Sequence, residues 1–147
     1  MGKGKSILVV DDDPSILVIF KKVLSQDGHR VHTCLSAAEA VSEFALGKFD
    51  LAVVDKNLPG ISGFDLVALL RRTAPDLPAI MATAYPEPIL AATARLQGYL
   101  SKPFESLKLI ADTVRRALEP AQMWRGRRDE ERAAGAELAG AHSPGSR

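Results

Sequence analysis

The sequence has few of the features that mark secreted, membrane-embedded or nucleic-acid-binding proteins. Its 147 residues include one cysteine, Cys34, which therefore cannot form an internal disulfide bond. The 19 lysine and arginine residues nearly balance the 18 aspartate and glutamate residues, so no strong overall field attracts nucleic acid or an anionic membrane. After residues 1–6 there is no apolar run long enough for a signal peptide or a membrane span. We therefore expect a cytoplasmic protein with no direct contact to nucleic acid or membrane.

The composition is that of an ordinary globular domain. With 46% hydrophobic and 25% charged residues, it excludes collagen, coiled coils and wholesale disorder. The character changes after Glu119, because residues 120–147 contain a single member of the Leu, Ile, Val and Phe group, Leu138. Such a segment has too little apolar surface to offset the entropy lost on ordering. We predict one folded domain over residues 6–119 and a flexible, disordered C-terminal tail over residues 120–147.

Short apolar runs alternate five times with stretches of helical period. This alternation is typical of an α/β protein whose parallel sheet is covered on both faces. The first run, residues 7–10, is continuous, as expected for a strand buried on both sides. Asp13 and Pro14 then predict the N-cap and first turn of a helix that Gly28 ends.

The other four units follow the same signals, including a capping-box pattern in Ser36 and Glu39. They are predicted as strand 31–34 with helix 37–46, strand 51–54 with helix 64–73 after a turn at 58–63, strand 79–82 with a short helix between 88 and 97, and strand 99–101 with a helix whose buried stripe is Leu107, Ile110, Ala111, Val114 and Leu118.

Polar side chains follow four of the five predicted strands. The first strand ends in Asp11-Asp12-Asp13, the third in Asp55, the fourth in Thr83 and the fifth in Ser101-Lys102. In doubly wound parallel sheets the ligand site lies outside the carboxyl ends of the strands. We therefore expect these carboxylates, a hydroxyl and an amine to line one pocket.

Several carboxylates in one pocket indicate a bound cation. They repel one another unless a proton or a cation relieves the repulsion. An all-oxygen site that keeps several waters suits Mg²⁺ better than Ca²⁺, whereas the three histidines and Cys34 lack the spacing of zinc ligands. We assign Asp13 to the helix cap, but Asp11 and Asp12 to the site, because another acidic residue follows a separate buried strand.

Four segments, in this order along the chain, resemble the receiver domain of two-component response regulators. They are Val-Val-Asp-Asp at 9–12, Val-Asp-Lys-Asn-Leu-Pro-Gly-Ile-Ser-Gly at 54–63, Thr-Ala at 83–84 and Tyr-Leu-Ser-Lys-Pro-Phe at 99–104. The similarity covers about residues 6–119. It implies a flavodoxin-like, doubly wound, five-stranded parallel sheet of order 2-1-3-4-5, as in the single-domain chemotaxis regulators.

The resemblance also implies a phosphorylation site with a metal ion beside it. Asp55 would be the phosphoacceptor, taking a phosphoryl group from a phosphohistidine of a sensor histidine kinase or a histidine phosphotransfer protein. Asp11 and Asp12 would hold Mg²⁺, with Asp12 the more direct ligand. Asp55 itself and the backbone carbonyl of Asn57 would contribute further oxygens.

Five further roles come from the same resemblance. Lys102 would pair with the phosphoryl oxygens and Thr83 would donate its hydroxyl to one of them. Tyr99 would turn inward when Thr83 moves toward the phosphoryl group. Asn57 and Tyr85, each two residues beyond a site residue, would flank the path of attacking water and tune the rate of dephosphorylation.

The region from Thr83 to Pro103 resembles the receiver family at one point and differs from it at another. The resemblance implies a cis peptide bond between Lys102 and Pro103. The interval is about three residues shorter than the family usually has, so the helix expected between 88 and 97 is short, shifted or partly unwound. Lys56, directly after Asp55, is less usual than an apolar residue, and the sequence offers no reason for it.

The implied mechanism suits a resettable signal. Phosphoryl transfer requires positioning and neutralisation of charge on the equatorial oxygens, and a carboxylate nucleophile yields a labile acyl phosphate. Phosphate would then shift a protein between two existing states and change a surface that docks an unknown downstream protein. The chain would be a signalling protein rather than an enzyme. Whether it stands free or regulates a longer protein, and whether phosphorylation makes a homodimer, stay open.

Two alternatives remain. One is a degenerate receiver that serves only as a binding scaffold, which would gain no acyl phosphate. The other is a haloacid-dehalogenase-like phosphatase, in which Asp11 and Asp13 would be nucleophile and acid. That motif requires Thr or Val where Ser15 stands, and it requires a further acidic pair after a downstream strand. The site of phosphorylation, Asp55 or Asp11, distinguishes the two chemistries.

Overall fold

Strands and helices alternate along residues 4–85, 87 and 92–119, the part of the chain that the computed structural model describes. The strands are β1 (Ser6–Val10), β2 (Arg30–Cys34), β3 (Leu51–Asp55), β4 (Asn57–Leu58), β5 (Ile61–Ser62), β6 (Ala79–Thr83) and β7 (Gly98–Ser101), and the helices are α1 (Pro14–Gln26), α2 (Ala37–Leu46), α3 (Gly63–Leu70) and α4 (Leu107–Ala117). The tail predicted over 120–147 and residues 88–91 of the helix predicted before Gln97 lie outside the described residues.

Five of the strands form one parallel sheet in the order β2-β1-β3-β6-β7. Strands β4 and β5 pair only with each other. When this small pair is set aside, the order is the predicted 2-1-3-4-5, so the flavodoxin-like fold is confirmed. All five carboxyl ends lie at one edge of the sheet, which therefore carries Asp11, Asp55, Thr83 and Ser101.

The core has two layers because the sheet is covered on both faces. Successive residues of β1 point to opposite faces, so Ile7 joins one apolar cluster and Leu8 the other. Helices α1 and α4 cover the first cluster, and α2 and α3 cover the second. Burying a side chain of the size of Leu8 contributes about 1.5–3 kcal/mol, which explains why the continuous apolar runs became central strands. Among the described residues, no helix combines the length and apolarity that crossing a membrane requires.

The region after β3 differs from its prediction at two points. The residues predicted as a turn, 58–63, include the short antiparallel pair β4–β5, which reverses at Gly60 with a φ of +80°. The helix predicted to reach Thr73 ends at Leu70. Beyond Leu70 the chain continues in hydrogen-bonded turns, in which the amide of Arg71 donates to the carbonyl of Val67 at 2.9 Å. The side chain of Arg71 donates to the carbonyl of Leu77 at 2.9 Å.

The buried stripe of α4 begins one turn later than predicted. Leu107 is 55% exposed, so its assignment to the stripe was wrong. The helix starts after the N-cap Ser106, whose hydroxyl accepts from the amide of Leu109, and it meets the core only from Ile110 onward. Helical period predicts the face of a helix, but not the point along it where packing begins. The buried positions are Ile110, Thr113, Val114 and Ala117.

Candidate functional site

Three carboxylates meet at the carboxyl edge of the sheet, as the strand ends predict. Asp11 follows β1 directly, Asp12 is the next residue, and Asp55 is the last residue of β3. One carboxylate oxygen from each lies within 4.8 Å of the other two. Asp11 is 2% exposed and Asp55 is 7% exposed, whereas Asp12 is open to solvent. The cluster therefore consists of a buried pair with one solvent-facing member.

Both oxygens of Asp11 are already engaged. Its Oδ1 accepts from the backbone amide of Asp13 at 2.9 Å, a local turn that aspartate favours. Its Oδ2 accepts from the Nζ of Lys102 at 2.8 Å. Asp11 is thus held in place by the backbone of its own loop and by Lys102, which follows the edge strand β7.

The carboxylate of Asp55 accepts fewer hydrogen bonds from the described residues than that of Asp11. Its Oδ1 accepts from the backbone amide of Asn57 at 3.3 Å and lies 3.4 Å from the Nζ of Lys102. No donor among the described residues bonds to its Oδ2. Burial, followed by the negative charge of Asp11, raises the pKa of Asp55 above its usual value. Asp55 therefore combines a perturbed pKa with a free oxygen, which is the combination expected of a reactive carboxylate.

Lys102 places one positive charge between the two buried carboxylates. It follows β7, and its backbone amide donates to the carbonyl of Thr83 at 2.9 Å, which carries the pairing one residue past the sheet. Burial by itself would lower the pKa of Lys102, but the hydrogen bond and charge of Asp11, together with the charge of Asp55, raise it. The ammonium is therefore kept protonated. The Lys102–Pro103 peptide bond is cis, as the resemblance implies.

The predicted hydroxyl and the two predicted tyrosines lie at β6 and β7. Thr83 ends β6, Tyr85 follows it, and Tyr99 lies within β7. Thr83 is buried at the end of β6, and its hydroxyl accepts from the amide of Tyr85 at 3.0 Å. The Tyr85 side chain is 73% exposed. Tyr99 is half-buried, and its hydroxyl accepts from the amide of Glu87 at 3.0 Å and donates to the carbonyl of Glu87 at 3.3 Å. Thr83 and Tyr99 are therefore linked to the same short segment.

Asp13 lies outside the cluster and caps α1. Its Oδ1 accepts from the amide of Ser15 at 3.0 Å and from the hydroxyl of Ser15 at 2.7 Å. This is the N-cap arrangement predicted from Asp13 and Pro14. Of the three consecutive aspartates, two serve the cluster and one serves the helix.

One ion pair beside the cluster was not predicted. The side chain of Lys56 is 11% exposed, and its Nζ donates to the carbonyl of Tyr85 at 2.9 Å and pairs closely with the carboxylate of Glu87. The sequence showed that a lysine is unusual directly after Asp55, but it gave no reason for Lys56. Glu87 gave no signal at all, because the two residues are distant in sequence and no periodic pattern joins them.

The donor set fits Mg²⁺. All three ligand candidates are carboxylate oxygens, and a single ammonium leaves the cluster with an excess of negative charge. The solvent-facing Asp12 leaves room for the several waters that Mg²⁺ retains. Among the described residues, this is the group of possible metal ligands that lies close enough together to share one ion.

Comparisons with known proteins identify the same family. The sequence model described as "Response regulator receiver domain" matches residues 7–114. The transcriptional regulatory protein TcrA of Mycobacterium tuberculosis is 37% identical over 115 residues, which is 74% of this chain and 44% of TcrA. The DNA-binding transcriptional regulator NtrC of Rhizobium meliloti is 35% identical over 120 residues, which is 80% of this chain and 25% of NtrC.

A solved structure shows the same architecture. The chemotaxis response regulator CheY4 of Vibrio cholerae superimposes with a TM-score of 0.73 at 27% sequence identity, covering 79% of this chain and all of that one. The chain spans less than half of the length of TcrA and NtrC. The similarity to those two regulators therefore concerns one part of each.

Proposed function

Because this chain belongs to the response regulator receiver domain family, we propose that Asp55 accepts a phosphoryl group from a phosphohistidine in a reaction that depends on Mg²⁺. The observation that carries this proposal is the geometry of Asp55. Its Oδ1 is fixed by Asn57 and Lys102, while its Oδ2 has no donor among the described residues. The receiver would comprise residues 6–119, followed by the tail over 120–147.

The acidic cluster supplies the ligands for the metal ion. Asp11, Asp12 and Asp55, together with the backbone carbonyl of Asn57, would hold Mg²⁺. When bound, the ion supplies positive charge to the phosphoryl oxygens. The two buried carboxylates also need such a charge, because Lys102 alone compensates for one of them.

The transfer itself uses the free oxygen of Asp55. That oxygen attacks phosphorus while the phosphorus–nitrogen bond of the donor breaks, and the electron pair of that bond leaves with the imidazole. Lys102 lies close enough to Asp55 to pair with an oxygen of the incoming phosphoryl group, and Thr83 would donate its hydroxyl to another. Attack of water on the aspartyl phosphate later releases inorganic phosphate and restores the carboxylate. Asn57 and Tyr85 would set the rate of that step.

Phosphorylation would shift the protein between two states. Thr83 would move toward the phosphoryl group, and Tyr99 would turn into the space it leaves. Thr83 is bonded to Tyr85, and Tyr99 is bonded to Glu87, so a movement of either side chain would change the bonds of one of these two residues. The outcome is a changed docking surface for a downstream protein, and the donor is a sensor histidine kinase or a histidine phosphotransfer protein. The chain would thus act as a cytoplasmic signalling protein.

The phosphatase alternative finds less support in the geometry. Both oxygens of Asp11 are occupied by hydrogen bonds, and Asp13 is committed to the cap with Ser15. Neither residue is arranged as a free nucleophile or acid. The alternative of a degenerate receiver is weakened because each polar residue of the expected set is present at the edge of the sheet.

Intact mass after incubation with acetyl phosphate and Mg²⁺ tests the proposal. We expect the wild-type protein to gain the mass of one phosphoryl group, and the adduct to be released by hydroxylamine, as an acyl phosphate is. Asp55→Asn removes the acceptor and should abolish the adduct. Asp11→Asn should form it more slowly, because it weakens metal binding and leaves the acceptor intact.

Asp13→Asn is the matched control, since it makes the same chemical change in a residue that only caps α1. It should leave both the extent and the rate of modification unchanged. A hydroxylamine-sensitive adduct that persists in Asp55→Asn would contradict the assignment of Asp55. An adduct lost only in Asp11→Asn would favour the phosphatase chemistry, and no adduct in any protein would favour the scaffold.

A further inference from the structure

Lys56 is a buried cation whose contacts serve no role in the chemistry described so far. It follows Asp55 directly, and its amide donates to the carbonyl of Ala82 at 3.2 Å. Its side chain crosses to the segment beyond β6, where Nζ donates to the carbonyl of Tyr85 and pairs with Glu87. Because the side chain is only 11% exposed, its charge depends on these two partners for compensation.

The contacts of Lys56 continue to the hydroxyl of Thr83. Lys56 holds Tyr85 by its carbonyl at 2.9 Å, and the amide of the same Tyr85 donates to the Thr83 hydroxyl at 3.0 Å. A threonine hydroxyl has a single proton to donate. Because the hydroxyl oxygen already accepts from an amide, that proton points elsewhere. The bond from the amide of Tyr85 occupies one side of the hydroxyl oxygen and thereby restricts the directions in which Thr83 can donate its proton.

Glu87 gives this arrangement a second support. Its carboxylate is bonded to Lys56, while its backbone amide and carbonyl are both bonded to the hydroxyl of Tyr99. Lys56, which follows β3, is thus bonded to both Tyr85 and Glu87, and Tyr99 of β7 is bonded to Glu87. Without the ammonium of Lys56, the first two of these bonds are absent.

We propose that Lys56 is a positioning residue for phosphoryl transfer, which acts through Tyr85 on the hydroxyl of Thr83. The inference rests on the proposed function, because the hydroxyl matters only if a phosphoryl group arrives on Asp55. Donors that are aligned in advance contribute most to stabilising charge that develops in a transition state. Loosening Tyr85 would misalign the hydroxyl without removing it.

The test measures the rate of acyl phosphate formation from acetyl phosphate and Mg²⁺ in a double-mutant cycle. Lys56→Met keeps the length of the side chain and removes its charge. In the wild-type background we expect a loss of roughly 3- to 10-fold in rate, smaller than the loss on removing the hydroxyl itself. In the Thr83→Ala background we expect the same change at Lys56 to have almost no effect, since the group it positions is gone.

Lys108→Met is the matched control. Lys108 also pairs with a carboxylate, Asp112, but its side chain is 83% exposed and, within the described part of the chain, it is bonded to no residue of the site. Its substitution should leave the rate unchanged. Should Lys56→Met fail to fold, Lys56→Gln removes the charge and shortens the side chain that reaches Tyr85, and it should slow the reaction in the same background-dependent way.

The outcomes separate this inference from the function on which it rests. If the wild-type protein forms no acyl phosphate, the proposed function fails and the inference fails with it. If it does, but Lys56→Met reacts at the wild-type rate, only the inference is wrong. An equal loss in both backgrounds also overturns it, because a general loss of stability, or a direct effect of the charge on Asp55, would not depend on Thr83.

Discussion

Asp55 is only 7% exposed, and it lies beside a second buried carboxylate, Asp11. Its negative charge is therefore unfavourable in the folded protein. Burial and that neighbouring charge raise its pKa in the folded protein. In the unfolded chain the same group releases its proton at the ordinary, lower pH. As the pH rises above that ordinary value, the unfolded state therefore loses its proton first, and folding stability falls until the folded pKa has been passed.

We accordingly predict that Asp55→Asn stabilises the metal-free protein at neutral pH. The amide has nearly the shape of the carboxyl group but no charge, and the expected gain is about 0.5–2 kcal/mol, as for other substitutions that relieve a strained functional site. The gain should shrink as the pH falls toward the pKa of Asp55. Urea unfolding across a pH series, without Mg²⁺, measures both effects.

The control for this prediction is Glu105→Gln, the same kind of change at an exposed position. It should alter the free energy of unfolding by less than about 0.5 kcal/mol at every pH. If Asp55→Asn is less stable than the wild type at neutral pH, the negative charge of Asp55 is not a cost to the fold, and the argument from burial is wrong.

Which single residues could be predicted depended on whether they follow a strand. Asp11, Asp55, Thr83 and Lys102 were found because the ends of parallel strands meet at one edge. Cys34 ends the predicted second strand, but among the described residues its thiol has no polar partner at the site; it is a free, buried thiol whose pKa burial raises to about 11.

At the scale of elements, one side chain joins the end of α3 to the two strands that follow. Arg71 donates to the carbonyl of Leu77 at 2.9 Å, to that of Ala94, and to that of Arg95 at 3.1 Å. It also donates to the side-chain oxygen of Gln97 at 3.3 Å. The guanidinium is well suited to this, because it presents several donors in a rigid plane.

We predict that Arg71→Met lowers the free energy of unfolding by about 2–3 kcal/mol. The substitution keeps the apolar stem but leaves the part-buried carbonyls of Leu77 and Ala94 without their charged donor. A hydrogen bond to a charged group contributes roughly 1.5–3 kcal/mol net, and water replaces part of what is lost at the more exposed acceptors. Urea unfolding of the two proteins measures the difference. Arg72→Met, at the exposed next position, should change stability by less than about 0.5 kcal/mol. Equal effects at the two positions would show that Arg71 acts as surface charge only.

The contacts of Arg71 also show why element ends are harder to predict than elements. The helix was predicted to reach Thr73 because Pro75 prevents it from continuing. The regular helix ends at Leu70 instead, and the guanidinium of Arg71 bonds to carbonyls before β6 and β7. Leu107 makes the same point at a helix start, since its position on the predicted stripe did not bring it into the core. Local sequence therefore predicts the period and caps of a helix better than it predicts the residue at which the regular helix ends or its packing against the core begins.

At the scale of the whole molecule, the parallel sheet of order β2-β1-β3-β6-β7 converts separate strand ends into one site. The aspartates of the acidic cluster lie at the ends of β1 and β3, and Lys102, which pairs with Asp11 and Asp55, follows β7 at the edge of the sheet. A metal ion that binds the assembled cluster therefore contacts carboxylates that are distant in the sequence. Such a ligand has little affinity for the unfolded chain, in which those groups are apart, and so it stabilises the entire domain.

This coupling predicts that Mg²⁺ raises the melting temperature of the domain, and that two neighbouring aspartates differ in their effect. At a 100-fold excess over its dissociation constant, a ligand of the native state adds about 2.7 kcal/mol to the free energy of unfolding. Asp12→Asn should lose most of this gain, because Asp12 belongs to the cluster. Asp13→Asn should keep it, because asparagine caps a helix nearly as well as aspartate. Melting curves over a Mg²⁺ series compare two proteins of identical net charge, so an equal loss in both would show that the ion responds to overall charge and not to the cluster at the ends of the strands.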